Sequence, residues 1–159
     1  VVPAPEPGSY HYCSAEGLKE GPQLKMVRGN GSIFFGAVDH VQQALHEIDE
    51  RNPQQKHALI VAGGVNFIDI AGAEMLSQEA RRRAKLGGGL YFYRVKDSVC
   101  GTLRMGQYIH DIGRDNIFPI KVRPIEAIYP TLDSAICRAC QARIFPECQI
   151  ALPNGEPRL

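Results

Sequence analysis

The stretch from His57 to Gly72, HALIVAGGVNFIDIAG, constrains this chain more than any other. Ala58–Val61 is an apolar run of strand length. Gly63 and Gly64 punctuate it, and Phe67-Ile68 then delivers Asp69 ahead of a helix-compatible segment from about Ala71 to Lys85. A buried strand that feeds a loop and a helix N-terminus is how α/β domains place a functional loop. Free N–H groups and a partial positive charge gather at such a terminus. Asp69 can therefore cap the helix, or the same position can hold an anion.

The flanks repeat the pattern. Leu24–Arg28 alternates apolar and charged residues, as a half-buried strand does. Gly29-Asn30-Gly31 predicts a hairpin turn, with Ser32–Phe35 as the return strand. Val38, Val41, Leu45 and Ile48 recur on one helical face, and Asn52-Pro53 stops that first helix. In the second helix Leu76, Ala80 and Ala84 share a stripe. Arg81-Arg82-Arg83 and Lys85 suit the negative end of its dipole. Three consecutive arginines point in three directions, so they read as a solvated helix end. Gly87-Gly88-Gly89 is a stop. Leu90–Val95 reads as a strand, and Asp97 or Ser98 can cap a third helix reaching about His110. Ile117-Phe118 is strand-like. Ile125, Ile128, Tyr129, Leu132 and Ile136 keep helical spacing that Pro130 should kink or split.

Residues 1–22 hold four prolines and three glycines and read as a lead-in or linker. One domain is expected over 23–145. The tail 146–159, with three prolines and one glycine, is expected to fray, while Arg143-Ile144-Phe145 can dock on the domain or on a larger protein that carries it. The order of elements implies an α/β domain with a mixed sheet. At 159 residues the chain is long enough for one real core, and a formal charge of +1 supplies no field toward nucleic acid or an anionic bilayer. The longest apolar run, Ala58–Val65, falls short of the roughly 20 residues that span a membrane. Five cysteines without a secretory signal point to reduced thiols. A start without Met fits a piece of a longer protein.

Chemistry-bearing clusters are few. His11, His40, His46, His57 and His110 fall on different elements, and no nucleophile–base order or paired carboxylate cluster stands out. No catalysis and no cofactor are expected. Gly87-Gly88-Gly89 lacks the Lys-Ser/Thr that a phosphate loop requires. Cys137-Arg138-Ala139-Cys140 puts two sulfurs near one helical face, with Cys148 close behind. Such thiols can clamp a metal, cycle as a dithiol or simply pack. Structural zinc takes four ligands and only three thiols lie close in sequence, so packed thiols without metal are the expectation.

The central stretch resembles STAS domains, the modules shared by sulfate transporters and anti-sigma-factor antagonists. Their strand is followed by Asp, a small polar residue, one further residue and Gly. Here the four are Asp69-Ile70-Ala71-Gly72. Gly31-Ser32-Ile33-Phe34-Phe35-Gly36-Ala37, Gly88-Gly89-Leu90-Tyr91, Ile112-Gly113, Asn116-Ile117-Phe118, Ala127-Ile128-Tyr129 and Leu132-Asp133 are similar to later landmarks of the sulfate permease (SulP) members. Together they cover roughly Leu24 to Cys140.

The resemblance implies a STAS-like mixed sheet of four to five strands with helices packed mainly on one face. It implies a regulatory or interaction domain on the cytoplasmic side of the membrane, in a secondary anion transporter. Its partners would be the transmembrane part of the same transporter, a second copy through that transporter, or a cytosolic regulatory protein. Nucleic acid is not among them. Anti-sigma-factor antagonists carry a phosphorylatable Ser or Thr directly after the loop Asp. Ile70 stands there and has no hydroxyl, which favours the transporter branch over a free-standing signalling protein. A small-anion or nucleotide sensor is the other alternative. Asp69, Ile70, Ala71, Gly72 and Glu74 form the expected contact or ligand face.

Overall fold

The computed structural model describes residues 2–3, 12–13, 20–33 and 38–158. Two short strands, β1 (Val2–Pro3) and β2 (Tyr12–Cys13), pair antiparallel. The body is a four-stranded sheet in the order β3 (Leu24–Ile33), β4 (His57–Ile68), β5 (Gly89–Tyr93), β6 (Ile117–Phe118). Every pairing in it is parallel, because helices carry the chain back between successive strands. These crossovers are α1 (Val38–Arg51), α2 (Ile70–Lys85), and the pair α3 (Asp97–Leu103) and α4 (Gly106–Ile112).

The expected α/β, STAS-like fold is present with four strands, parallel among the described residues where a mixed sheet was expected, and this corrects one local reading. Gly29-Asn30-Gly31 does not turn. It lies inside β3, which runs on beside β4 through two register shifts, between Arg28 and Asn30 and between Gly31 and Ser32. Gly29 serves close packing instead, since a Cβ there would sit 2.8 Å from Val65 Cγ2. Gly63 and Gly64 likewise fall within β4, and the strand continues to Ile68. The Phe34 and Phe35 part of the expected return strand lies outside the described residues.

Both faces of the sheet are covered. On one, α1–α4 bury Leu45, Ala73, Met75, Leu76, Ala80, Val99, Leu103 and Ile112 against Ala58, Ile60, Leu90 and Phe92. The long helices share this face, as the resemblance implies. The other face carries Leu24, Met26, Leu59, Tyr91, Tyr93 and Phe118, packed under short C-terminal helices. These are α5 (Pro124–Ile128), α6 (Ser134–Ala139) and α7 (Pro146–Ile150). Pro130 does split the last helical pattern, inside a 3₁₀ turn over Tyr129–Thr131.

The tail does not fray. Phe145, Cys148 and Leu152 are buried, Ala151 bridges Pro157, and Arg143-Ile144-Phe145 docks as the sequence allowed. The third helix is broken rather than continuous to His110, because the chain is extended at Met105 and α4 restarts at Gly106 with φ +50. Neither Asp97 nor Ser98 caps α3. Its N-cap is Lys96, without a side-chain hydrogen bond, and Lys96 Nζ instead reaches Asn66 Oδ1.

Arg83 overturns the reading of the arginine run as a solvated helix end. It is 0% exposed. Its Nε donates to Glu79 Oε1 at 2.9 Å, Nη1 to the Lys56 carbonyl at 3.0 Å, and Nη2 to Asp49 Oδ1 at 2.9 Å. Arg82 closes the knot with Nη1 at 2.6 Å from Asp49 Oδ2 and Nε donating to Glu79 Oε2 at 2.9 Å. The hydrogen bond to Glu79, ahead of other causes, raises the Arg82 guanidinium above its ordinary value. One buried cation thus ties α1, α2 and the entry to β4 together. Arg81 alone stays half exposed, 3.8 Å from Asp111 Oδ2.

Candidate functional site

β4 delivers the head of α2 to the carboxyl end of the sheet, where open α/β sheets present their working loops. Asp69 has an extended backbone, and its Oδ1 accepts from the Gly72 N–H at 2.8 Å. That is the N-cap geometry the sequence predicted, and the Ala73 N–H closes the first turn onto the Asp69 carbonyl at 2.9 Å. The other end of α2 is fixed as firmly. Gly88 N donates to Arg83 O at 2.9 Å and Gly87 N to Ala84 O at 3.1 Å, with Gly87 at φ +86. A Cβ on Gly88 would overlap the Lys56 carbonyl.

Between these caps the helix buries Gly72, Ala73, Met75, Leu76, Ala80 and Arg83 and presents Glu74 to solvent. The flanks of Asp69 are apolar and exposed: Phe67 is 52% exposed and Ile70 61%. The five residues singled out in the sequence therefore divide. Asp69 and Gly72 are joined as cap and capped, Ala71 is half-buried, and Ile70 and Glu74 face outward. Phe67 was missed: strand alternation would set it on the face of buried Val65, and only the end of the covered sheet leaves it open. Ser77, two turns on, is buried and donates to Asp111 Oδ2 at 2.6 Å. That bond holds the Asp111 carboxyl below its usual range.

The thiols converge at the opposite face. Cys137, Cys140 and Cys148 line one small cavity that also touches Gln23 and Arg158. Gln23 Nε2 donates to Cys137 Sγ at 3.2 Å and to the Asp133 carbonyl at 2.9 Å, while the Asp133 N–H returns to Gln23 Oε1 at 2.8 Å. Asp133 also caps α6 through Ala135 N at 2.8 Å. Burial, then like-charge repulsion from Cys148 and Cys140, pushes the Cys137 thiol up to about 11. Beside this cavity, His57 and Tyr91 form a buried polar pair, Nδ1 to Oη 2.9 Å, with rings stacked at 5.9 Å. Burial lowers the His57 value, and Arg83 and Lys56 lower it further. Neither Gln23 nor His57 carried a signal in the sequence, because their partners lie 34 to 114 residues away.

Residues 18–135 match the STAS domain family, and the chain belongs to that family. Its curated relative YvdB of Bacillus subtilis (strain 168), named as a candidate sulfate transporter, is 23% identical over 100 residues. Those residues are 63% of this chain and 18% of YvdB, so the chain spans under a fifth of that relative. A sulfate transporter family protein from Wolinella succinogenes superposes with a TM-score of 0.57 at 23% identity, over 68% of this chain and 86% of that one. The STAS domain of a SulP transporter from Vibrio cholerae gives 0.54 at 19%, over 69% and 83%. Murine Slc26a9, an anion transporter in the inward-facing state, gives 0.64 at 15%, over 77% and 21%. These likenesses share the fold. Among the described residues, no helix is long and apolar enough to cross a membrane.

Proposed function

We propose that this chain is the regulatory and interaction domain of a sulfate permease-type anion transporter, held at the cytoplasmic side of the membrane and without catalysis of its own. The observation that carries this reading is the exposed apolar pair Phe67 and Ile70 on either side of Asp69. A loop built for phosphorylation would offer a hydroxyl there, and from Asn66 to Gly72 the chain has none. A loop built for an anion would leave its N–H groups open, whereas Asp69 takes that of Gly72. What remains is a contact surface: two apolar side chains and the outward Glu74 on a rigid helix head.

Such a domain acts by binding one state of the transporter better than another. The transmembrane part of the same protein is the partner, with a second copy or a cytosolic regulator as further occupants of the surface. The test is a charge reversal, Glu74→Lys, in the full-length transporter. Anion uptake changes at matched expression, while the melting temperature of the isolated domain holds. Unchanged uptake removes this face. Incubation with an anti-sigma-factor kinase separates the signalling alternative: the account expects no phosphate on the domain, and incorporation at buried Ser77 would favour the free-standing module.

A further inference from the structure

The cavity under the C-terminal segment holds three free thiols and one unanswered donor. Cys137 and Cys148 are buried, and Cys140 is half exposed. Arg158 Nη2 donates to the Cys137 carbonyl at 2.7 Å, yet its Nε–H is buried without an acceptor. A buried guanidinium N–H with no partner is costly, and a thiolate or a sulfur-bound oxygen in the cavity would answer it. The chain between the thiols is shaped to bring them together. After α6 it turns at Arg143, which takes a left-handed φ of +44, and leads into α7, so that Cys140 and Cys148 line the same cavity. Gln149 Nε2 pins that turn by donating to the Arg143 carbonyl at 2.8 Å.

A metal is the poorer occupant, because among the described residues no three of His, Cys, Asp or Glu converge closely enough to hold one. Burial pushes the Cys148 thiol up, with Cys140 adding to the rise, while the Arg158 charge partly offsets it. Cys140, the one of these three sulfurs open to solvent, is where an oxidant arrives.

We propose that Cys140 and Cys148 form a disulfide driven by a hydroperoxide, which fastens α7 to the end of α6. In the first step the Cys140 sulfur attacks a peroxide oxygen. An S–O bond forms, the O–O bond breaks, and water or an alcohol leaves with the thiol proton; sulfur is oxidised to sulfenic acid and the peroxide is reduced. In the second step the Cys148 sulfur attacks the Cys140 sulfur. The S–S bond forms, the S–O bond breaks, and water leaves with the Cys148 proton. Arg158 favours the thiolate of Cys148 in this step. Cys137, held by Gln23, stays reduced. The disulfide locks the cover over the C-terminal face of the sheet and makes its docking depend on oxidant.

Trypsin separates the three sulfurs, placing Cys137 in residues 122–138, Cys140 in 139–143 and Cys148 in 144–158. The chain is prepared with Cys13→Ser and Cys100→Ser, exposed to hydrogen peroxide under native conditions, alkylated and digested. The expected product joins 139–143 to 144–158, about 2 Da below the summed peptides, and is reversed by dithiothreitol. Cys137 is recovered alkylated, and the oxidised chain melts several degrees above the reduced one. Cys140→Ser abolishes both the link and the rise. Three alkylated thiols after peroxide, or a link through Cys137, overturns the proposal. Because the map is read on the chain that retains all three thiols, a poorly folding Cys140→Ser variant does not rescue it.

Discussion

On one face of the sheet, α1 and α2 run for 14 and 16 residues. On the other, no helix among the described residues exceeds 6. The first face is closed by periodic apolar stripes and one charged knot around Arg83. The second is closed by an aromatic row, His57 to Tyr91 to Phe118, and by scattered single contacts from Gln23, Cys137, Phe145 and Leu152. Helices of one turn or little more cannot hold themselves. Their conformation is set by the sheet they cover, so the second face depends on tertiary contact far more than the first.

Removing the buried cation should have the largest effect. Arg83→Met leaves Glu79 and Asp49 sharing only Arg82, opens the bond to the Lys56 carbonyl, and is expected to cost about 3 kcal/mol in urea unfolding. A loss under about 1 kcal/mol would mean that the knot is not what ties α1 to α2. Next comes Phe145→Ala, which empties a buried ring site and should cost about 3 kcal/mol. Its mark is regional. Amide exchange should rise over residues 134–152 beyond any rise in α2, and a uniform rise would make the two faces one cooperative unit.

Asp69→Ala removes the N-cap bond to Gly72 and should cost about 1 kcal/mol. Asp69→Asn should recover most of it, since an amide oxygen can still accept. The smallest effect is on pH dependence. The folded-state value of His57 lies below its ordinary value near 6.5, so the unfolded chain binds the proton more readily. The contribution of His57 is therefore complete above that ordinary value and declines as pH falls through it toward the lowered one. His57→Gln should flatten the fall in melting temperature between about pH 7 and pH 5. An unchanged slope would place the acid sensitivity elsewhere.

The difference between the faces also explains what the sequence disclosed. Ala58–Val61, Leu76 and Ala80 of the α2 stripe and the Asp69 cap were legible because strand runs, helical period and capping are local, whereas Ala84, expected on the same stripe, is exposed. The Arg83 knot was half legible: Glu79 stands four residues before it on the same helix, but Asp49 and the Lys56 carbonyl come from elsewhere in the chain. Gly29-Asn30-Gly31 misled because glycine answers two needs, a turn or a close approach, and only the neighbouring strand with Val65 decides between them. The tail was misread because its first proline, Pro146, starts a short helix instead of ending structure. Of the proposed contact face, Asp69 and Gly72 could be read directly. The exposure of Phe67 and Ile70 required knowing which side of β4 and α2 was covered.

The most direct test of the account compares two exposed isoleucines in the full-length transporter proposed to carry this domain. Ile70 is 61% exposed at the head of α2, and Ile150 is 74% exposed on α7, in the C-terminal cover. Anion uptake is measured for Ile70→Glu and Ile150→Glu at matched expression, with melting curves of both domains. The account predicts that Ile70→Glu lowers uptake about fivefold or more, while Ile150→Glu leaves it unchanged and both domains stay folded. Equal uptake for the two variants, or a loss confined to Ile150→Glu, would contradict it.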